Sequence, residues 1–248
     1  MNEGRENARE REEWRDRVVL VTGAAGHLGE AVVRRFLETG ARLALTDLDR
    51  ARLTDRFPEL EKSGGHLLVA PVNLTDPVAL EGLREAVLDR WGRLDILLNL
   101  AGGYQGGTPL HETSPHEWDR LMDLNARSVF LTCRTFIPQM VAQQSGRIVN
   151  VASRAATHGG ALVALYAASK TVVVRLTESL AEELKEVGIT VNCVLPGIID
   201  TPVNRAAMPQ GDPKRWVSPV EIAEVILFLA SDRARAVTGA SLPVYGRG

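Results

Sequence analysis

Hydrophobic and polar positions in this chain alternate between two patterns. Short runs rich in Val, Ile and Leu are separated by longer segments whose apolar residues recur at three- and four-residue intervals. The first pattern is that of strands buried on both faces, the second that of helices laid against them. It predicts strands over Val18–Thr22, Arg42–Thr46, His66–Pro71, Ile96–Leu100, Arg147–Val151, Thr190–Leu195 and Ser241–Tyr245. Between them it predicts helices over Gly26–Glu38, Arg50–Lys62, Pro77–Trp91, Pro115–Gln144, Leu162–Glu186 and Pro219–Ala230. This alternation is that of an α/β fold, a doubly wound parallel seven-stranded sheet with helices on both faces. Ligands of such sheets bind at the strand C-termini, near the switch in strand order.

Composition narrows the picture. At 248 residues and 45% hydrophobic content the chain can bury a full core, most simply in one domain. A net charge of −2 and a pI of about 6.2 remove the main electrostatic drive for nucleic-acid binding. The longest apolar runs are too short and too charged to span a bilayer. Residues 1–17 are dense in Arg and Glu without an apolar h-region, so they read as a solvated extension, anchored at its end by Trp14, and not as a secretory signal. Residues 18–248 then read as the single main domain. Cys133 and Cys193 fall in predicted core elements and read as buried thiols, which points to the cytoplasm. The longest irregular stretch, 197–218, follows a strand end directly and is a candidate lid.

Two clusters carry candidate chemistry. Thr22-Gly23-Ala24-Ala25-Gly26-His27-Leu28-Gly29 joins the first strand to the first helix, where glycines allow a tight turn and close approach of backbone to a pyrophosphate. Asp47 ends the second strand, where a carboxylate accepts from ribose hydroxyls and repels a 2′-phosphate. NAD(H) is therefore expected over NADP(H), although Asp47 could instead cap the next helix and Arg50 stands close by. Asn73, Asn99, Ala101 and Gly102 follow the third and fourth strands, where adenine and ribose should lie. Asn99 could equally satisfy local backbone groups.

The second cluster is Tyr166-Ala-Ala-Ser-Lys170, with Ser153 upstream. Residues four apart share a helix face, so Tyr166 and Lys170 point the same way. An ammonium about 4 Å from a phenol, at an effective dielectric of about 20, favours the phenolate by roughly 4 kcal/mol, or about three pKa units. The phenol would then suit acid–base work near neutrality, with Ser153 holding a substrate oxygen beside it.

Together these marks, with Asn125 and Pro196-Gly197, resemble the short-chain dehydrogenase/reductase superfamily over the chain after Arg17. The resemblance implies a single-domain Rossmann fold and NAD(P)-dependent hydride transfer between a secondary alcohol and a ketone. The small-molecule substrate could be a 3-oxoacyl thioester, a sugar or polyol, or a cyclic ketone, in a homotetramer or homodimer. It casts Tyr166 as acid/base and Ser153 as substrate-oxygen ligand. Lys170 would depress the phenol's pKa and bind the nicotinamide ribose, and Asn125 would hold a water linking Lys170 to solvent. The Ile199 backbone and Thr201 would fix the carboxamide. His27 stands where a glycine is commoner, with packing as its plainer role and phosphate contact as the other. Gly23, Gly26 and Gly29, the Ala101–Gly107 stretch and the lid resemble the quinonoid dihydropteridine reductases. Ser153, which that branch generally lacks, favours carbonyl chemistry. A non-catalytic NAD-binding sensor is the third reading, disfavoured because the catalytic set is retained. The five histidines show no metal-ligand spacing, so no metal is expected.

Overall fold

The computed structural model describes residues 13–248. Seven parallel strands form one sheet: β1 (Val18–Thr22), β2 (Arg42–Thr46), β3 (Leu67–Val69), β4 (Ile96–Asn99), β5 (Gly146–Val151), β6 (Ile189–Pro196) and β7 (Ser241–Val244). Their spatial order is β3-β2-β1-β4-β5-β6-β7. The order reverses between β1 and β4, so the loops leaving those two strands face each other across the switch point.

One face of the sheet is covered by α1 (His27–Thr39) and α9 (Pro219–Ala230). The other is covered by α4 (Pro77–Trp91), α6 (Ser128–Gln143) and α7 (Ala164–Leu184). β1, β4, β5 and β6 are buried along their whole length, as strands with helices on both sides must be. α1 shows how local sequence sets an element. Gly26 opens it in extended conformation, Val32, Val33 and Phe36 are buried, and Gly40 closes it at φ +84°, a left-handed cap that glycine adopts without strain. Trp14 is buried edge-on against Phe36 at 5.3 Å and so ties residues before β1 to this core; the rest of the expected extension, residues 1–12, lies outside the described residues. Truncating a fully buried Phe36 would cost about 3–5 kcal/mol.

Several elements differ from expectation, among them β3, which is limited to Leu67–Val69. The segment 50–62 is two helices, α2 (Arg50–Arg56) and α3 (Pro58–Lys62), parted at Phe57. Proline disfavours helical geometry in the residue before it, and Phe57 leaves the helix at φ −136° with its ring in the core. The segment 115–144 is not one helix. A π-helical turn, Asp123–Arg127, separates α5 (Pro115–Met122) from α6. α7 begins two residues later than expected because Leu162 takes a left-handed φ of +63°. The stretch 197–218 carries the short α8 (Pro202–Ala207) and is pinned at its ends by a bridge between Ile199 and Val217.

Candidate active site

The loops after β1 and β4 are built against one another. At the end of β1 the Thr22 hydroxyl donates to Leu98 O (3.3 Å) and accepts from the N–H groups of Leu100 (3.1 Å) and Ala101 (3.2 Å). Gly23 follows at φ +64°, and a Cβ there would stand 2.8 Å from Ala101 Cα. A Cβ on Gly29 would meet the carbonyls of Gly23 and Ala24, the latter at 2.6 Å. Gly26 N–H donates to Gly23 O (3.1 Å), and Gly26 caps α1 without any side-chain hydrogen bond. The first amides of α1 are therefore left to an external acceptor, behind a turn that side chains would fill. That is the cradle a pyrophosphate needs, so the residues present fit a dinucleotide. His27 is the first residue of α1 and is half-buried, and Leu28 packs on the α1 core.

At the end of β2 the Asp47 carboxylate turns back to this loop. Oδ2 accepts from Ala25 N–H (3.1 Å) and Oδ1 from Leu48 N–H (2.9 Å). The cap of α2 is Asp49, not Asp47. Arg50 is drawn away to Glu61 at 3.2 Å. Asn73 is exposed beyond β3, its Oδ1 accepting from the Thr75 amide and hydroxyl.

Asn99 points its side chain into the core. Its side chain lies on the same face of β4 as Leu97, since strand residues alternate, and that face points at α6 and α7. It is buried, and Nδ2 donates to Asn150 Oδ1 (2.8 Å) and lies 3.4 Å from Cys133 Sγ. Asn150 donates in turn to Thr177 Oγ1 (2.9 Å).

Past β4 the backbone runs over the catalytic candidates. A Cβ on Gly102 would stand 2.9 Å from Asn125 Oδ1 and 3.0 Å from Lys170 Nζ. The π-helical turn aims the Asn125 side chain inward, where Oδ1 accepts from Gly103 N–H (2.9 Å) and Nδ2 donates to Gly103 O and Ser169 Oγ, each at 3.0 Å. π-turns of this kind recur at functional sites. Both Nδ2 protons are committed, so this side chain braces the loop. Ser169, inside the Tyr-x-x-x-Lys motif, closes the link by donating to Tyr166 O (2.8 Å).

Ser153 leaves β5 as the cap of a short 3-10 turn, its hydroxyl accepting from Ala155 N–H (3.2 Å). Burial pushes the Tyr166 phenol above its ordinary value. The Ser153 hydroxyl beside it acts the other way, and Tyr104, whose ring meets Tyr166 edge to face at 5.0 Å, adds to the rise. Lys170 is buried, Nζ donating to Val151 O (2.9 Å), and burial brings its pKa down to about 8. The phenol is thus shifted upwards by burial, and the expected depression does not emerge. Desolvation acts against both charged forms, and Lys170 is not among the groups that shift Tyr166.

On the far side Gly197, after Pro196 at the end of β6, packs on the backbone of Tyr245, whose oxygen would lie 3.0 Å from a Cβ at 197. Ile199 O accepts from Asn204 Nδ2 (2.8 Å), and the Thr201 hydroxyl caps α8 through Asn204 N–H (3.2 Å). Asp200 and Arg205 pair within the lid through two bonds of 2.6 and 2.7 Å. His158 is exposed and bonded to its neighbour Thr157. Among the described residues no group of three or more metal-ligating side chains comes together, and no helix is long and apolar enough to cross a membrane. Sequence reasoning missed Thr22, Ser169 and Tyr104. The first two sit inside motifs already singled out, whereas Tyr104 carries no signal beyond its glycine-rich surroundings.

Comparison with known proteins agrees with this geometry. The short chain dehydrogenase family model matches residues 17–211, and the chain belongs to that family. It is 37% identical over 240 residues to the (2S)-[(R)-hydroxy(phenyl)methyl]succinyl-CoA dehydrogenase subunit BbsD of Thauera aromatica, covering 93% of this chain and 96% of that one. Among solved structures, NAD+-bound xylitol dehydrogenase superposes with a TM-score of 0.84 at 30% identity, over 93% of this chain and 98% of the other. An actinorhodin polyketide ketoreductase with NADPH superposes at 0.86 and 30% identity, over 94% and 97%. The protein is an oxidoreductase of the secondary-alcohol/ketone kind that uses a nicotinamide cofactor.

Proposed function

We infer that this enzyme interconverts a secondary alcohol and a ketone with NAD(H), using Tyr166 as its acid/base. The observation that carries the reading is Lys170 Nζ lying against the Gly102 backbone at the switch point, on the same helix as Tyr166, whose phenol meets the Ser153 hydroxyl. A nicotinamide bound there supplies the site that takes or gives the hydride. In ketone reduction the carbonyl oxygen accepts hydrogen bonds from Ser153 and Tyr166, and the phenol gives up its proton as the carbonyl carbon gains a hydride. In the alcohol direction the same proton returns to the phenolate as the carbon gives the hydride up. A phenol held above its ordinary pKa is protonated at neutral pH, the form that ketone reduction consumes. Lys170, still mostly protonated at pH 7 with a pKa of about 8, faces the same backbone and can donate to ribose hydroxyls.

Preference for NAD(H) rests on Asp47. Its carboxylate occupies the mouth of the phosphate loop, and the nearby Arg50 is paired with Glu61 and so does not offset it. A 2′-phosphate would meet an unneutralised negative charge. Steady-state reduction of a ketone panel with NADH and NADPH tests both parts. Ser153→Ala is expected to lower kcat about a hundredfold, as loss of one donor to a developing oxyanion does. Undiminished turnover in that variant, or a clear preference for NADPH, would sink the respective part.

A further inference from the structure

We propose that Tyr104 forms one wall of the substrate site and selects substrates whose reacting carbon belongs to a ring over open-chain ones. The inference rests on the alcohol/ketone reading above and specifies its substrate class. Tyr104 is 67% exposed, yet its ring is set edge to face against the phenol of Tyr166, at 5.0 Å and 73° between planes. A tyrosine packed merely to fill a core would be covered, whereas this one is largely exposed while its ring touches the acid/base.

The loop around it is built to hold the ring still. Gly103 before it is clamped on both its N–H and its carbonyl by Asn125. Gln105 after it donates to Glu117 on α5 at 2.5 Å. Gly107, at φ +100°, donates to Leu162 O at 2.8 Å. A Cβ on Gly106 would lie 2.5 Å from Tyr104 Oη and 2.9 Å from Val163 Cγ1, so the ring lies across a position that only glycine leaves open. The wall is therefore formed before any substrate arrives. A preformed aromatic surface rewards a rigid ring most, because a ring brings contact area without rotors to freeze, whereas an open chain must be ordered against it.

The test uses the full-length protein with NADH and pairs of cyclic and open-chain ketones of equal carbon number. The unaltered enzyme is expected to favour the cyclic member of each pair in kcat/KM. Tyr104→Ala should cut that preference about three- to tenfold, the range of one aromatic contact. The loss should fall mainly on KM, and Tyr104→Phe should retain the preference. Equal losses for both ketone classes in Tyr104→Ala, an unchanged ratio, or an open-chain preference in the unaltered enzyme would each overturn the proposal while leaving the alcohol/ketone reading intact. Binding of NADH without turnover of any ketone would instead overturn that reading, and the assignment of Tyr104 with it.

Discussion

Replacing Lys170 by methionine should abolish activity and make the protein more stable at neutral pH. Lys170 is buried with one described hydrogen bond, to Val151 O, and its pKa is lowered from 10.5 to about 8 by desolvation. At 1.36 kcal/mol per unit, holding the charged form in the fold at pH 7 costs roughly 3 kcal/mol relative to the unfolded chain. Methionine removes that cost with little change in shape, but leaves Val151 O without its donor, about 1–2 kcal/mol. The net gain is about 1–2 kcal/mol, or about 2–8 °C in Tm at the usual scaling for a chain of this size. The sign depends on pH. Below pH 8 the lysine is charged in both states and its penalty is complete. Between about 8 and 10.5 the folded lysine has released its proton while the unfolded one has not, so the penalty fades as pH rises. Thermal melts of both proteins at pH 7 and pH 9.5 should therefore show the advantage of Lys170→Met shrinking. Groups not coupled to Lys170 titrate alike in the two proteins and cancel in the difference, and a Cys193→Ala background removes the one thiol that is coupled to it. A variant less stable than the parent at pH 7, or a gap indifferent to pH, would refute the reasoning.

Ketone reduction, which needs the protonated phenol and the lysine cation, should lose kcat/KM above about pH 8 in a pH–rate profile as Lys170 discharges. Gly29→Ala forces a Cβ against the carbonyls of Gly23 and Ala24, so it should weaken NADH binding, read by cofactor fluorescence, and lower stability by about 1–3 kcal/mol. Gly102→Ala presses on Asn125 and Lys170 together; kcat should fall at least about tenfold while the melting transition stays cooperative. Trp118 and Phe130 lie 46% and 48% exposed on α5 and the adjoining α6, surface suited to a second subunit, and light scattering at micromolar concentration should give the mass of a dimer or tetramer.

Most of the sheet is readable from residue types, because strands buried on both faces leave uninterrupted apolar runs, whereas the strand order appears only in the structure. The glycine loop and Asp47 are readable for a similar reason, since their geometry is set by local backbone needs. What escapes is set by the third dimension. The π-turn at Asp123–Arg127 adds to a helix whose apolar periodicity continues on both sides, so no interruption marks it. The face on which Asn99 falls depends on strand phase relative to α6 and α7, and its type alone fits either side. The effect of Lys170 on Tyr166 was expected from separation along a helix, yet burial, which spacing does not report, decides both pKa values.

The line of polar side chains through Asn99, Asn150 and Thr177 crosses β4, β5 and α7 inside an otherwise oily layer. Oil alone tolerates many arrangements. Sliding β4 against β5 by one residue would turn Asn99 to the opposite face and leave the Asn150 Oδ1 without its donor, at about 1–3 kcal/mol for each orphaned group. These few amides therefore act as a key for alignment between neighbouring strands, fixing where the loop after β4 begins and hence how far Gly102 reaches over the lysine.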